Sequence, residues 1–477
     1  MSDITIYNEN EAYARVEADR GILKELGEQF TFMAANYFFN PKYKAKVWDG
    51  KICLLNRKTN MIYSGLVPKI TKWAEENNYS VTLDSSFSDT NFSVTEAFDF
   101  INTLDIPFPP HEHQMKAFIH CIRKRRATII SPTASGKSFL IYLITKYLNI
   151  KTLIVVPTLS LLTQMELDFK SYGYNEQIHK ISSGVTKNTQ DMVVCSTWQS
   201  IYGMPNEWFE QFELIVIDET HLAKSDSFVE ILTKAVNCKY RLGFTGTLDG
   251  LEVNSMVIEG LLGPTKNIIT TSQLMEKKLV SDLTIKIIIL EYPEFVKKGQ
   301  NRSYPEEIEF LTTNPKRNKF IRNLSMSLDK NTLNLFNTKK HGKTLYSDLK
   351  EKDPDRKVFF INGDIEAEIR EQIRQATEVG ENVTVIASVG TTSTGVNIKN
   401  LHNLIFSTPS KSRIRVLQSI GRVLRKLENK SATLYDIADD LTWNGTPNST
   451  YSHLKERIKI YAKEGFNYKI YRVKLYD

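Results

Sequence analysis

Cysteine is scarce. The four in 477 residues (Cys53, Cys121, Cys195 and Cys238) are widely spaced, with no Cys-x-x-Cys pair. That excludes a disulfide-stapled scaffold and the usual zinc spacings, and predicts reduced, mostly buried thiols in a cytoplasmic protein. The neighbouring His111, His113, His120 and Cys121 likewise fit no zinc pattern. Long apolar runs are missing too. The longest, such as Ile287 to Leu290, suit buried strands and exclude a membrane span. The first twenty residues lack both a signal-type apolar stretch and an Arg-rich transit pattern. No low-complexity tract or short repeat occurs. Charge excess is small, at +7, so its placement carries the information. Between Phe39 and Trp73 stand eight Lys or Arg against one acid, and from Leu401 onward fourteen against seven. Two basic regions around a near-neutral middle suit a polyanionic partner.

The chain is too long for one ordinary core. From Arg126, apolar runs at 127–131, 152–157, 191–196, 212–219 and 240–247 alternate with helix-length segments. The pattern restarts with runs at 284–290, 333–337, 357–363, 383–388, 403–408 and 432–439. Such alternation predicts an α/β fold: two tandem parallel-sheet domains after a small α+β N-terminal domain. The expected boundaries are 1–90, 91–265, 266–450 and a helical tail at 451–477.

The stretch Ser131-Pro-Thr-Ala-Ser-Gly-Lys-Ser138 follows a strand and opens a helix. Backbone N–H groups of Thr133, Ala134, Ser135 and Gly136 can wrap phosphates there. Lys137 neutralises β/γ oxygens and the Ser138 hydroxyl can ligate Mg²⁺. Ser131 stands where the general phosphate loop has glycine, so the motif alone leaves a structural or other anion-binding loop open. Asp218-Glu219-Thr220-His221 ends the apolar strand LIVID. In a parallel sheet this brings two carboxylates to the ligand edge, Asp218 for Mg²⁺ and Glu219 for the attacking water. Gln418-Ser-Ile-Gly-Arg422-Val-Leu-Arg425 places two arginines three apart, on one face if helical. They read as arginine fingers or as a solvated basic face.

The ordered set, with Thr245-Gly246-Thr247 between, resembles the superfamily 2 helicases and translocases, which accept a P-T-x-x-G-K-[ST] loop. The resemblance implies that the two parallel-sheet domains are RecA-like, with ATP and Mg²⁺ as cofactors and Lys137, Asp218, Glu219, Arg422 and Arg425 as catalytic. It implies nucleotide contacts from Gln114, Gly395, Asn397 and Gln418, and strand contacts from Pro157, Thr158, Thr197, Trp198 and Thr394. His221, Thr245 and Thr247 would couple hydrolysis to movement. Residues 38–81, through F-N-P, W-D-G and G-L-V, resemble the N-terminal domain of the UvsW-type phage helicases. That implies action on branched DNA (R-loops, D-loops, Holliday junctions, stalled forks) and at single-strand/double-strand junctions. The partners implied are DNA, RNA–DNA hybrids and phage replication or recombination proteins, with no membrane, in the host cytoplasm. An RNA-directed helicase and a duplex translocase without strand separation share the same motor motifs. Lys42, Lys44, Lys46, Trp48 and Lys51 read either as a phosphate and base platform or as a solvated strand face with a core tryptophan.

Overall fold

The computed structural model describes residues 2–34, 36–182, 184–222, 226–248, 251–298, 302–392, 398–408, 412–427 and 430–476. The chain forms two compact units, residues 1–131 with 136–268, and 132–135 with 269–477.

The first unit begins with strands β1 (Ile4–Asn8), β2 (Tyr13–Ala18), β3 (Thr31–Met33), β4 (Lys51–Cys53), β5 (Met61–Tyr63) and β6 (Val81–Leu83). A four-stranded sheet, β5-β2-β1-β6, covers a core of Ile4, Ile6, Val16, Leu26, Ile62 and Ile70. Strands β3 and β4 form a separate hairpin. This α+β region is tied to the rest of the unit by Lys69–Glu259 (3.1 Å) and the Glu11–Arg126 pair.

Strands β7 (Arg126–Ile130), β8 (Thr152–Val156), β9 (Ile178–Ile181), β10 (Val193–Thr197), β11 (Leu214–Asp218), β12 (Tyr240–Thr245) and β13 (Thr265–Asn267) follow. They make a seven-stranded sheet of order β13-β7-β12-β11-β8-β10-β9, all pairs parallel. One face packs on Phe118, Phe139 and Ile144, the other on Phe209, Phe228 and Leu261. Burial on both faces explains why the central strands read as unbroken apolar runs. Helix Val94–Asn102, capped by Ser93 and Glu96, sends Ala97 and Ile101 into this core.

The second unit holds β14 (Asp282–Glu291), β15 (Thr332–Phe336), β16 (Val358–Ile361), β17 (Thr384–Ser388), β18 (Asn403–Phe406), β19 (Ser431–Asp440) and β20 (Asn467–Lys474). Their order is β16-β17-β15-β18-β19-β14-β20, again parallel. The fold class is thus two tandem parallel-sheet domains behind an α+β region. One expectation changes. Residues 451–477 are not a helical tail: helix Ser449–Lys463 leads to β20, which pairs with β14 over eight residues. The alternating Tyr468, Ile470 and Arg472 are largely exposed at this sheet edge, so no buried run marked the strand.

Candidate nucleotide site and nucleic-acid surfaces

The sheet order of the first unit builds the site. Strand β12 lies between β7 and β11, so the loop after β7, the end of β12 and the acidic turn after β11 share one edge. Carboxyl ends of parallel strands are where such folds hold ligands.

In the loop, the left-handed positions are Ala134 (φ 67°) and Gly136 (φ 80°), whereas Ser131 does not have positive φ. A glycine at the first position is therefore unnecessary here. Ser131 instead donates its N–H to Thr245 O at 2.9 Å and receives Lys137 Nζ on its carbonyl at 3.2 Å. Gly136 is constrained twice: a Cβ there would lie 2.2 Å from Gln114 Nε2, and its backbone is left-handed. Gln114 is buried, with Oε1 accepting from His111 N–H at 2.8 Å, so its amide is fixed beside the loop. Lys137 and Ser138 open helix Lys137–Leu148, and the Ser138 hydroxyl lies 3.0 Å from the Tyr172 hydroxyl. Ser135 Oγ donates to Pro132 O at 2.7 Å, tightening the turn around Thr133 and Ala134.

At the end of β11, Glu219 adopts φ 55°, a left-handed conformation uncommon for glutamate. Such strain concentrates at functional sites. The turn is held by Glu219 N–H donating to Asp218 Oδ1 (2.9 Å) and by Thr220 Oγ1 donating to Ile217 O (3.1 Å) and Phe244 O (3.0 Å). His221 Nδ1 lies 3.3 Å from Glu219 Oε2 and 3.2 Å from Thr245 Oγ1. Thr245 Oγ1 in turn donates to Thr247 O at 3.0 Å. One polar chain thus links the acidic turn to the Thr245-Gly246-Thr247 segment. Burial, and then the neighbouring Glu219, push the Asp218 carboxyl up to about 7, against Lys137 and the Glu219 N–H. Two adjacent carboxylates thus stand beside the loop lysine. The hydroxyl of Ser138 and the carboxylate of Asp218 are hard oxygen donors of the kind that fit a divalent cation.

Two partners were not legible beforehand. Tyr172 reaches Ser138 from the residue just past helix Leu159–Ser171, 34 residues on, and no local pattern marks it. Gly243 lies under the acidic turn: a Cβ there would be 2.7 Å from Thr220 Oγ1. A glycine inside an apolar strand was the available signal.

Of the strand-contact candidates, Pro157 and Thr197 are buried. Thr158 caps helix Leu159–Ser171 through Leu161 N–H. Trp198 is half-buried against Phe228, with ring centroids 5.8 Å apart. All four stand at the carboxyl ends of β8 and β10, on the same edge as the acidic turn. In the second unit, Gln418 and Arg422 lie four apart on helix Arg413–Val423. Arg425 does not share that face, since the helix ends at Val423. Its carbonyl accepts from Ser281 Oγ (3.1 Å) and Lys430 Nζ (3.0 Å), which fix the segment after the helix. Thr394, Gly395 and Asn397 lie outside the described residues.

Of the basic N-terminal patch only Lys51 stands on a strand, exposed at the start of β4, and none of it is core. Lys42 and Lys44 stand on the short helix Pro41–Lys44, and Lys46 follows with φ 57°. Trp48 is half-buried and donates Nε1–H to Lys51 O at 2.8 Å. Among the described residues it joins none of the hydrophobic cores. Beside it, Phe39 is 67% and Val47 78% exposed. An open groove of about 630 Å³ runs between Phe38, Tyr43, Lys44, Lys46, Val47 and Trp48.

A phosphate loop and an acidic turn on one sheet edge, in the first of two tandem parallel-sheet domains, define a superfamily 2 helicase. Models described as "DNA helicase UvsW, N-terminal", "Type III restriction enzyme, res subunit" and "Helicase conserved C-terminal domain" match residues 3–84, 107–250 and 315–426. The ATP-dependent DNA helicase uvsW of Enterobacteria phage T4 is 34% identical over 504 aligned residues, covering 99% of this chain and 100% of that protein. The chain belongs to the UvsW helicase family. The crystal structure of T4 UvsW matches with a TM-score of 0.54 at 33% identity, covering 99% and 100% of the two chains. The Type ISP restriction-modification enzyme LlaBIII bound to DNA shares the fold alone, with a TM-score of 0.57 at 15% identity, over 77% of this chain and 32% of that one.

Proposed function

We propose that this helicase is an ATP-driven motor that remodels branched DNA, including R-loops, D-loops, Holliday junctions and stalled forks. The observation that carries the reading is the shared edge of Lys137, Ser138, Asp218 and Glu219 behind one parallel sheet, in a chain related along its whole length to an ATP-dependent DNA helicase. In this reading Lys137 exchanges the Ser131 carbonyl for phosphate oxygens. The loop N–H groups and the helix N-terminus hold the rest of the triphosphate. Gln114 faces the base. Mg²⁺, held by Ser138 and Asp218, would neutralise the charge between the phosphates. Glu219 orients and deprotonates water, with His221 Nδ1 3.3 Å from its carboxylate. Arg422 and Arg425 supply positive charge to the transition state, and Gln418 lies on the Arg422 face.

The strand runs over Thr158, Thr197, Trp198 and Thr394, gripped through phosphate and sugar so that movement is independent of sequence. His221, Thr245 and Thr247 transmit loss of the γ-phosphate along their hydrogen-bonded chain. The Lys42–Lys51 lobe, with exposed aromatics and lysines on an open groove, binds phosphates and stacks unpaired bases. The division into 1–90 for DNA binding, 91–265 for ATP and 266–450 for the arginines follows, in the host cytoplasm, beside replication or recombination proteins.

Lys137→Ala is expected to abolish ATP turnover while DNA affinity stays within about threefold, a shift below 1 kcal/mol. Substantial residual hydrolysis would mean that the loop is not the phosphate site. ATPase stimulation by forked DNA, single-stranded DNA and RNA decides the substrate. A response to RNA alone overturns the DNA assignment, and one to duplex without unwinding makes the protein a plain translocase.

A further inference from the structure

A cavity of about 540 Å³ lies where the N-terminal α+β region meets the β7–β13 edge of the first parallel sheet, within the first unit. Its lining is poorly satisfied. Among the described residues, Asn8 Oδ1, Ser86 Oγ and Arg126 Nη1 are buried without a hydrogen-bond partner, and all three residues face this one cavity. Buried polar groups are nearly always bonded, so three at one place indicate a binding surface and not a packed seam.

The charges on the wall are unequal: five lysines or arginines against Glu11, Glu75 and Asp89. Arg126 gives Nη2 to Glu11, which leaves Nη1 over. Arg125 is held in place by the Ser86 and Ser88 carbonyls, both at 2.6 Å, and those neutral acceptors leave its charge uncompensated. Lys124 is paired with Asp89 at 2.6 Å. Lys72 pairs with Glu76 at 3.5 Å, and Lys239, at the rim, is 3.9 Å from Glu213 and mostly exposed. Burial, with Lys266 and Lys124 nearby, pushes His120 below its ordinary value, so it faces the cavity as a neutral imidazole. The remaining wall is apolar, with Val67, Pro68, Phe87 and Pro264. The Arg125 guanidinium, held by neutral carbonyls, and the spare Arg126 Nη1 beside an apolar wall suit an anion that carries a flat ring.

We propose that this cavity binds a single nucleoside phosphate, with the phosphate among Lys124, Arg125, Arg126 and Lys239 and the ring against Pro68 and Phe87. The same chemistry arises from a free nucleotide or from the phosphorylated end of a nucleic-acid strand. Binding lets Asn8, Ser86 and Arg126 turn their unused atoms onto the ligand. The site stands apart from the phosphate loop and does not depend on the motor reading.

The test uses the full chain carrying Lys137→Ala, so that nucleotide held at the phosphate loop is suppressed. Thymidine 5′-monophosphate binding is measured by calorimetry, and binding of a short oligothymidylate with and without a 5′-phosphate by anisotropy. Lys239→Glu removes a rim cation, and Thr71→Trp fills the cavity from a lining position. Each is expected to weaken monophosphate binding about tenfold, or to cut the preference for the 5′-phosphorylated strand by the same factor. Loss confined to the mononucleotide assigns a free nucleotide; loss confined to the oligonucleotide assigns a strand end. The proposal is overturned if neither variant changes either measurement. It is also overturned if inorganic phosphate competes as well as the mononucleotide, since the apolar wall would then contribute nothing.

Discussion

The two parallel sheets treat their carboxylates in opposite ways. In the second unit, Asp436 is fully buried beneath the sheet and takes three donors: Arg457 Nε (2.8 Å), Arg457 Nη2 (2.7 Å) and Tyr461 OH (2.8 Å). Asp439, equally buried, takes Arg317 Nε (2.8 Å) and Tyr292 OH (2.9 Å). Each of these acids has its own arginine. In the first unit, Asp218 and Glu219 sit side by side at a sheet edge, half-buried, and share the fields of Lys137 and His221. The sheet beneath them buries Arg241, but that guanidinium is spent on the carbonyls of Ala235 and Leu261, both at 2.8 Å. Arginine-paired carboxylates hold the second sheet to its helices. At the edge of the first sheet, Asp218 has no such dedicated arginine among the described residues, and burial and the neighbouring Glu219 push its carboxyl up. Charge compensation thus separates architecture from function in two domains built on parallel sheets.

The contrast can be broken on either side. The largest effect is expected from Glu219→Gln. It keeps the size and the His221 contact but removes the base, so ATP turnover should fall roughly 10²–10⁴-fold. Thermal stability should move by less than about 0.5 kcal/mol, because the side chain is partly solvated and braces no core. A single-turnover ATPase assay with a melting curve reads both, and an unchanged rate would remove Glu219 from the chemistry. On the other side, Arg457→Ala leaves Asp436 buried without its arginine. That should cost about 3–5 kcal/mol in the second unit, whereas Arg457→Met with Asp436→Leu should restore most of it. Separate calorimetric transitions for the two units would locate the loss. If both variants melt alike, the pair is not an architectural one.

The same division explains what could be read beforehand. The phosphate loop, the acidic turn and the central strands were legible because each requires fixed residue types at a strand end, inside a sheet buried on both faces. β9, β13 and β20 were not, because edge strands are covered on one side or exposed and lose the apolar run. Arg422 and Arg425 looked like helix neighbours from spacing alone, yet a helix end is set by tertiary bonds to the residues beyond it. Here the Ser281 and Lys430 bonds to the Arg425 carbonyl hold the chain in another conformation. The ion pair Arg317–Asp439 spans 122 residues and Ser138–Tyr172 spans 34, and no local pattern reports such distances. The lobe around Trp48 was ambiguous for a different reason. Alternating lysines fit a strand, and only Asn40 capping Lys42 N–H at 2.9 Å turns them into a helix start.

The smallest expected effect is the most diagnostic of the contrast. Asp218 titrates near 7 in the folded chain and near 3.8 when unfolded, so between those values the native state holds the extra proton. Stability should therefore fall as pH rises from about 4 to about 7, and the penalty should stay constant above that. Asn at position 218 has no proton to lose. Asp218→Asn should leave the melting temperature unchanged near pH 3, below both values, where the acid is protonated folded and unfolded alike. At pH 8 it should raise stability by about 1–2 kcal/mol, below the full value of about 4 kcal/mol for three pH units, since one edge of the residue meets solvent. Mg²⁺ with a non-hydrolysable ATP analogue should reverse the sign at pH 8, because the bound cation then rewards the carboxylate and the amide offers it less. A substitution that stabilises the bare protein and weakens the loaded one is what an acid kept for a ligand predicts; an acid kept for packing, such as Asp436, should be destabilised by the same change in both states.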